Sequence, residues 1–196
     1  MTETGLTGNI GSGKTTVCRI FESLGVPVFY SDVEAKKFYF DEEVKYRIRQ
    51  TLGEKVFNIK DEIDFKRLAG VIFNDKEALG FINNLIHPLV FKRYERWKAE
   101  HADFPYLIHE SAILFEHHLE KRFRNIIAVY CPRDIRIKRV MQRDGASEDE
   151  VVRRMASQMD DAVKNRLASF VINNDGKEML IPQVVKLHEK LITSKK

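Results

Sequence analysis

Short apolar runs alternate with longer amphipathic stretches along the chain, the pattern of a parallel sheet covered by helices. Residues 4–7, 26–30, 106–109, 126–130 and 170–172 read as strands, each short, apolar and bounded by turn residues, charges or helical pattern. A helical run over 16–24 follows the first of them. Between the second and third, residues 32–104 carry Leu79, Ile82, Leu85, Ile86, Leu89, Val90, Tyr94 and Trp97 at helical spacing, which predicts a helical insertion. Pro88 lacks an amide hydrogen and disfavours helical geometry at His87, so a helix boundary is expected there. Between the fourth and fifth strands, residues 133–167 are dense in charge. Arg136, Arg139 and Arg143 stand three and four apart, on one face of a helix. The tail over 182–192 reads as a short amphipathic helix, with Ser194, Lys195 and Lys196 fraying beyond it.

No internal repeat or low-complexity tract breaks this layout, and 196 residues suffice for one well-cored domain. Expected within it are a core (1–31, 105–132 and 168–196), the insertion (32–104) and a lid segment (133–167). A net charge of +4 does not call for a nucleic-acid surface and leaves room for a basic pocket around a small anion. Cys18 and Cys131 lie far apart, in no metal-type spacing. They suggest neither a disulfide framework nor a zinc site, and a reducing cytoplasm is the expected setting. Met1-Thr2-Glu3-Thr4 is not a basic-then-apolar leader, and no apolar run approaches membrane-spanning length.

The most specific chemistry is Gly8-Asn9-Ile10-Gly11-Ser12-Gly13-Lys14-Thr15, which satisfies the P-loop pattern after a strand and before a helix. Glycines at 8, 11 and 13 permit positive φ, so that backbone N–H groups form a concave nest for phosphate oxygens at a helix N-terminus. Gly11, Ser12, Gly13, Lys14, Thr15 and Thr16 are therefore the expected nucleotide contacts. Lys14 would reach the β- and γ-phosphates, the Thr15 hydroxyl would join the shell of Mg²⁺, and Thr16 would bond near the α-phosphate. The loop fixes nucleotide binding and leaves the reaction open, since GTPases, motor ATPases and kinases share it. The chain has no Asp-x-x-Gly and no Asn-Lys-x-Asp or Thr-Lys-x-Asp, which disfavours a GTPase. A helical insertion after strand two and an arginine-bearing segment after strand four match the layout of small-molecule kinases.

Asp32 stands just past the C-terminal end of strand two, the edge where open α/β sheets bind ligands. It can accept the proton of an attacking hydroxyl or cap a helix starting at Val33. Glu110 ends strand three, where it can hold Mg²⁺ through water, contact an acceptor, or stand as a solvated charge. Taken alone, His87 reads as a structural histidine at a proline break, and His117-His118 as surface. Arg139 and Arg143 can close over ATP and neutralise charge as the phosphoryl group moves. Residues 133–166 also hold nine basic and seven acidic side chains, the composition of an ordinary solvated helix. Arg154 and Gln158, four apart, would extend the same cover, and Asn174 follows the last strand near an adenine edge.

In order along the chain, Gly5 to Thr15, Ser31-Asp32, Leu68-Ala69 with Val71-Ile72-Phe73, Ile86-His87-Pro88, and Leu114-Phe115-Glu116 resemble the dephospho-coenzyme A kinases. Arg139 to Arg143-Asp144, Arg154 with Gln158, and Val171-Ile172-Asn173-Asn174 complete the series. The resemblance implies an α/β, P-loop nucleotide-kinase-like three-layer fold with a five-stranded parallel sheet, a helical acceptor-binding insertion and a lid. It implies transfer of the ATP γ-phosphate to the ribose 3′-hydroxyl of dephospho-CoA, with Lys14, Arg139 and Asp32 catalytic and Asp32 the base. Arg143 and Asn174 then join the nucleotide site, and His87 and Glu110 the acceptor site. Departures from that family's usual pattern are Asn9 for glycine, tolerable because asparagine accepts positive φ, Tyr30 and Glu110 for aspartate, Phe65 for arginine, and Ala112 for proline. A nucleoside or nucleotide kinase and a non-catalytic nucleotide sensor are the competing readings.

Overall fold

In the computed structural model, which describes residues 1–72 and 74–193, five strands form one parallel sheet. They are β1 (Thr2–Thr7), β2 (Val28–Tyr30), β3 (Tyr106–Glu110), β4 (Asn125–Tyr130) and β5 (Phe170–Asn173), hydrogen-bonded in the order β2-β3-β1-β4-β5. Each predicted strand is present, with ends moved by one or two residues. Expectations resting on Phe73, Ser194, Lys195 and Lys196 lie outside the described residues. The chain divides into two compact units, one made of residues 1–30 and the chain from 101 onward, the other of residues 31–100.

In the first unit, strand alternation feeds two apolar layers. Leu6, Tyr106, Ile108, Ile127, Val129 and Ile172 join one core with Val17, Cys18 and Phe21 of α1 (Lys14–Ser23) and Val184, Leu187 and Leu191 of α9 (Leu180–Thr193). Their neighbours face the other way. Gly5 sits against Leu114 and Phe123, and Ile126 packs with Leu114, Phe115 and Phe123. Period-two alternation buried on both sides gives the helix-sheet-helix sandwich that the apolar runs predict. The charged segment after β4 forms α6 (Arg133–Asp144), α7 (Glu148–Ala156) and α8 (Asp161–Leu167). Local chemistry sets their ends. Gly145 closes α6 at φ 64°, Ser147 and Glu150 form a capping box on α7, and the Asp160 carboxylate accepts the Ala162 amide at the start of α8.

The second unit is helical: α2 (Ser31–Phe38), α3 (Glu42–Leu52), α4 (Phe65–Ile72) and α5 (Lys76–Glu100). Asp41 caps α3 by accepting the Glu43 and Val44 amides, and Val44, Ile48 and Leu52 form its buried stripe. The helix boundary expected at His87 is absent, because α5 runs through Pro88. Ile82, Leu85, Ile86, Val90 and Tyr94 are buried on both sides of the proline, while Asn84, His87 and Pro88 are exposed. The one lost hydrogen bond therefore leaves its acceptor, the Asn84 carbonyl, on the solvent side, and the buried stripe carries the helix past the break.

Candidate active site

β1 is the switch point of the sheet, flanked by β3 and β4, and the chain leaving it at Thr7 turns into the phosphate loop before α1 begins at Lys14. Gly8, Gly11 and Gly13 all take positive φ, at 152°, 80° and 92°. The loop is closed by the Ser12 amide donating to the Asn9 carbonyl at 3.0 Å. Lys14 Nζ donates to the Gly8 carbonyl at 2.9 Å and lies 3.7 Å from Glu110 Oε1 at the end of β3. Thr15 and Thr16 occupy the exposed first turn of α1. Beneath the loop, Asn174 Nδ2 donates to the Ser12 carbonyl at 2.7 Å, and Asn174 Oδ1 accepts from Arg139 Nη2 at 3.4 Å. Asn174 thus braces the loop. The carboxyl ends of β1, β3 and β5 so gather Lys14, Glu110, Asn174 and Arg139 around one phosphate-sized nest with helix-dipole support.

The arginines expected to share one face of α6 divide by burial. Arg136 is 4 % exposed; its Nε donates to the Cys131 carbonyl at 3.0 Å and its Nη2 pairs with Asp161. Arg139 is half-buried, with Nη1 donating to Cys131 Sγ at 3.3 Å. Arg143 is exposed and forked onto Asp144, at 2.7 and 3.0 Å; Arg154 holds the same carboxylate at 3.0 Å. In the 31–100 unit, Asp32 is an exposed first-turn residue of α2, which begins at Ser31, so the alternative in which Asp32 caps a helix starting at Val33 does not apply. His87 is exposed on α5.

Sequence reasoning missed a polar cluster on the connector between α7 and α8. Gln158 Oε1 accepts the Ile10 amide at 2.8 Å, and Asn9 Nδ2 donates to the Met159 carbonyl and to Asp161 Oδ1, both at 2.9 Å. From the other side, Glu116 Oε1 accepts the Met159 amide at 2.8 Å and pairs with Lys164 Nζ at 2.8 Å. Lys164 also donates to the Ala112 carbonyl at 2.8 Å and is 1 % exposed. Burial would raise the Glu116 pKa, but the Lys164 hydrogen bond and the Met159 amide outweigh it and hold the carboxyl below its ordinary value. Burial pulls the Lys164 ammonium down in spite of Glu116, and pushes the Asp161 carboxyl up in spite of Arg136. The connector walls a cavity of about 640 Å³ whose lining includes Asn9, Arg133, Arg136, Met155 and Asp160.

Residues 3–179 match the family model described as dephospho-CoA kinase. The chain belongs to the dephospho-CoA kinase family. A dephospho-CoA kinase from Bacteroides fragilis is 37% identical over 184 residues, covering 93% of this chain and 89% of that protein. Among solved structures, a Thermus thermophilus protein superposes with a TM-score of 0.86 at 31% identity, over 96% of both chains. Dephospho-CoA kinase from Campylobacter jejuni superposes with a TM-score of 0.70 at 25% identity, over 99% and 98%. As a member of the dephospho-CoA kinase family the chain is a phosphotransferase of coenzyme A biosynthesis, with ATP as phosphate donor.

The departures from the usual dephospho-CoA kinase pattern have physical outcomes here. Asn9 does not use the left-handed backbone that asparagine tolerates; among the described residues only Asp61 and His118 do so without being glycine. Its side chain makes connector contacts instead. The Glu110 carboxylate lies 3.7 Å from Lys14 Nζ. Tyr30 donates from its hydroxyl to Glu22 at 3.0 Å, and Phe65 packs edge-on against Tyr39 at 5.3 Å.

Proposed function

We propose that this chain transfers the γ-phosphate of ATP, held by the loop from Gly8 to Thr15, to the ribose 3′-hydroxyl of dephospho-CoA, with Asp32 as the base. The hydroxyl oxygen attacks the γ-phosphorus, the bond to the β–γ bridging oxygen breaks, ADP leaves, and the hydroxyl proton passes to the Asp32 carboxylate. One observation carries the donor half of this reading: the nest of positive-φ glycines at the N-terminus of α1, with Lys14 held beside it by the Gly8 carbonyl and Glu110. Backbone N–H groups of Gly11 and Gly13, the Ser12 N–H once it leaves the Asn9 carbonyl, and the hydroxyl of Thr16 bind phosphate oxygens, and Lys14 swings from its resting partners to the β- and γ-phosphates. Arg139, half-buried and fixed against Asn174, balances charge as the phosphoryl group moves. Arg143 leaves Asp144 to cover the nucleotide.

A bound Mg²⁺ would neutralise charge on the β- and γ-oxygens, and the Thr15 hydroxyl and the Glu110 carboxylate are oxygen donors of the kind this hard cation takes. The acceptor reading for 31–100, with Asp32 and His87, rests on Asp32 following β2 directly in the chain and on the family membership. The segment 133–167 acts as the lid, and the enzyme works in the cytoplasm on small molecules.

The deciding experiment measures ADP release with dephospho-CoA and with a panel of nucleosides and nucleotides. Turnover with dephospho-CoA and none with the panel is expected. In Asp32→Asn, kcat should fall by about 10²- to 10⁴-fold while ATP affinity, read by calorimetry, stays unchanged. Undiminished turnover in Asp32→Asn removes the base, and turnover confined to another acceptor removes the substrate.

A further inference from the structure

We propose that Asn9 is a positioning residue for phosphoryl transfer, which holds the 158–161 connector on the phosphate loop and so fixes the loop's leading edge. The proposal rests on the reading of that loop as the ATP site. Both hydrogens of the Asn9 amide are used, one on the Met159 carbonyl and one on Asp161 Oδ1. The other Asp161 oxygen pairs with Arg136 Nη2. The next residue, Ile10, is held on both sides of its backbone: its N–H donates to Gln158 Oε1 at 2.8 Å, and its carbonyl accepts from Arg136 Nη1 at 3.4 Å. The Asp161 carboxylate thus joins Asn9 to Arg136, which holds the Ile10 carbonyl, and the connector carrying it is anchored from behind by Glu116 through the Met159 amide.

Two facts speak for position rather than bulk stability. Asn9 is not at positive φ, so no backbone requirement selects asparagine there. Its Oδ1 is buried without a hydrogen-bond partner, a cost that offsets part of what the two amide hydrogen bonds contribute to stability. Glycine, the residue usual at this point of the family pattern, could make neither contact. Phosphate binding by a backbone nest depends on N–H groups already aimed inward, since any reorganisation on binding is subtracted from affinity and from transition-state stabilisation. Asn9 supplies part of that rigidity from a segment some 150 residues away in the chain. It acts through Ile10 and the connector and touches no reacting atom.

The test compares Asn9→Gly, Asn9→Asp, Asp161→Asn and the double variant Asn9→Asp/Asp161→Asn. Each is measured for ATP dissociation constant by calorimetry, for kcat and KM with dephospho-CoA, and for thermal melting. Asn9→Gly should lower kcat/KM for ATP about tenfold, in the range found for coupled neighbouring groups. Asn9→Asp, which sets a carboxylate against the Asp161 carboxylate and the Met159 carbonyl, should lower it further. In the double variant the amide and the carboxylate change places, so that the amide at position 161 donates to the carboxylate at position 9. Because Asp161→Asn by itself also takes the counter-charge from Arg136, Asn9→Asp should cost at least about threefold less on the Asp161→Asn background than on the parent. If melting shifts while kinetics and ATP affinity of Asn9→Gly and Asn9→Asp stay within about twofold of the parent, the role is only structural and the proposal fails. Equal losses in those two variants, or the same cost of Asn9→Asp on the parent and on the Asp161→Asn background, also overturn it. If Asn9→Asp does not fold, Asn9→Gly and Asp161→Asn carry the same comparison. Failure of the parent chain to turn over dephospho-CoA would sink the functional reading alone, because the ATP dissociation constants still report on Asn9.

Discussion

At Gly13 the backbone φ is +92°, and a Cβ there would lie 2.1 Å from Asn174 Nδ2. That amide cannot simply swing away, since it is buried and bonded to the Ser12 carbonyl. Gly13→Ala therefore adds backbone strain and displaces a buried hydrogen bond, together about 2–3 kcal/mol of stability. It also reshapes the nest, so ATP affinity should fall at least about tenfold. Gly25 is the control: its φ is +79°, but nothing lies within 4 Å of a Cβ. Gly25→Ala should cost only about 1 kcal/mol of strain and leave ATP affinity unchanged. Urea melts and ATP calorimetry on the two variants check this, and equal ATP affinity in both would remove Asn174 as the brace of the loop. At this scale the motif itself was legible, because spacing between Gly8 and Thr15 dictates its geometry. The partners of Asn9 and the burial of Arg136 were not, because both depend on residues that only the folded chain brings near.

At the scale of elements, the strands were legible because each is a short apolar run buried on both faces, and the C-terminal helix because its apolar stripe repeats at helical spacing. Pro88 does not end its helix because its surroundings override the local rule: the ring costs a hydrogen bond, but the buried positions on either side of it hold α5 together. Pro88→Ala should therefore return the hydrogen bond to the Asn84 carbonyl and remove the clash, raising stability by about 1–3 kcal/mol. Hydrogen exchange gives the sharper measurement: the new amide at 88 and its neighbours in the preceding turn should gain protection. No gain in protection or melting temperature would mean that the proline ring packs as well as a continuous helix would. If His87 seats the acceptor, the same variant should raise KM for dephospho-CoA and leave KM for ATP unaltered, which separates the helix argument from the site argument.

For the whole molecule, the buried His109 and the half-buried Glu116 contribute to the acid response with the same sign. His109 on β3 lies between the rings of Phe29 and Phe123, each 5.3 Å away, and burial, with a lesser contribution from Arg122, pulls its pKa from 6.5 to about 3. Between those values the unfolded chain takes a proton that the folded chain refuses, so stability is full above pH 6.5 and falls as pH drops toward 3. Glu116 adds a second window. Its folded pKa lies below 4.5, so its contribution is present above 4.5 and is lost as pH falls below that value. The windows can be separated by mutation. From pH 7.5 to 5.5 His109 alone should remove about 1.4 kcal/mol, one proton over roughly one pH unit below 6.5. His109→Leu removes that slope and keeps the loss below 4.5, whereas Glu116→Gln keeps the first slope and lessens the second, to which Asp144, Glu150 and Asp175 also contribute. Glu116→Gln also starts from lower stability at neutral pH, by about 3 kcal/mol, because Lys164 stays buried without its counter-charge. Urea unfolding at pH 7.5, 5.5 and 4 reads all three chains. Parallel curves for the parent and His109→Leu would show that folding leaves the proton affinity of the imidazole unchanged, against the burial between Phe29 and Phe123.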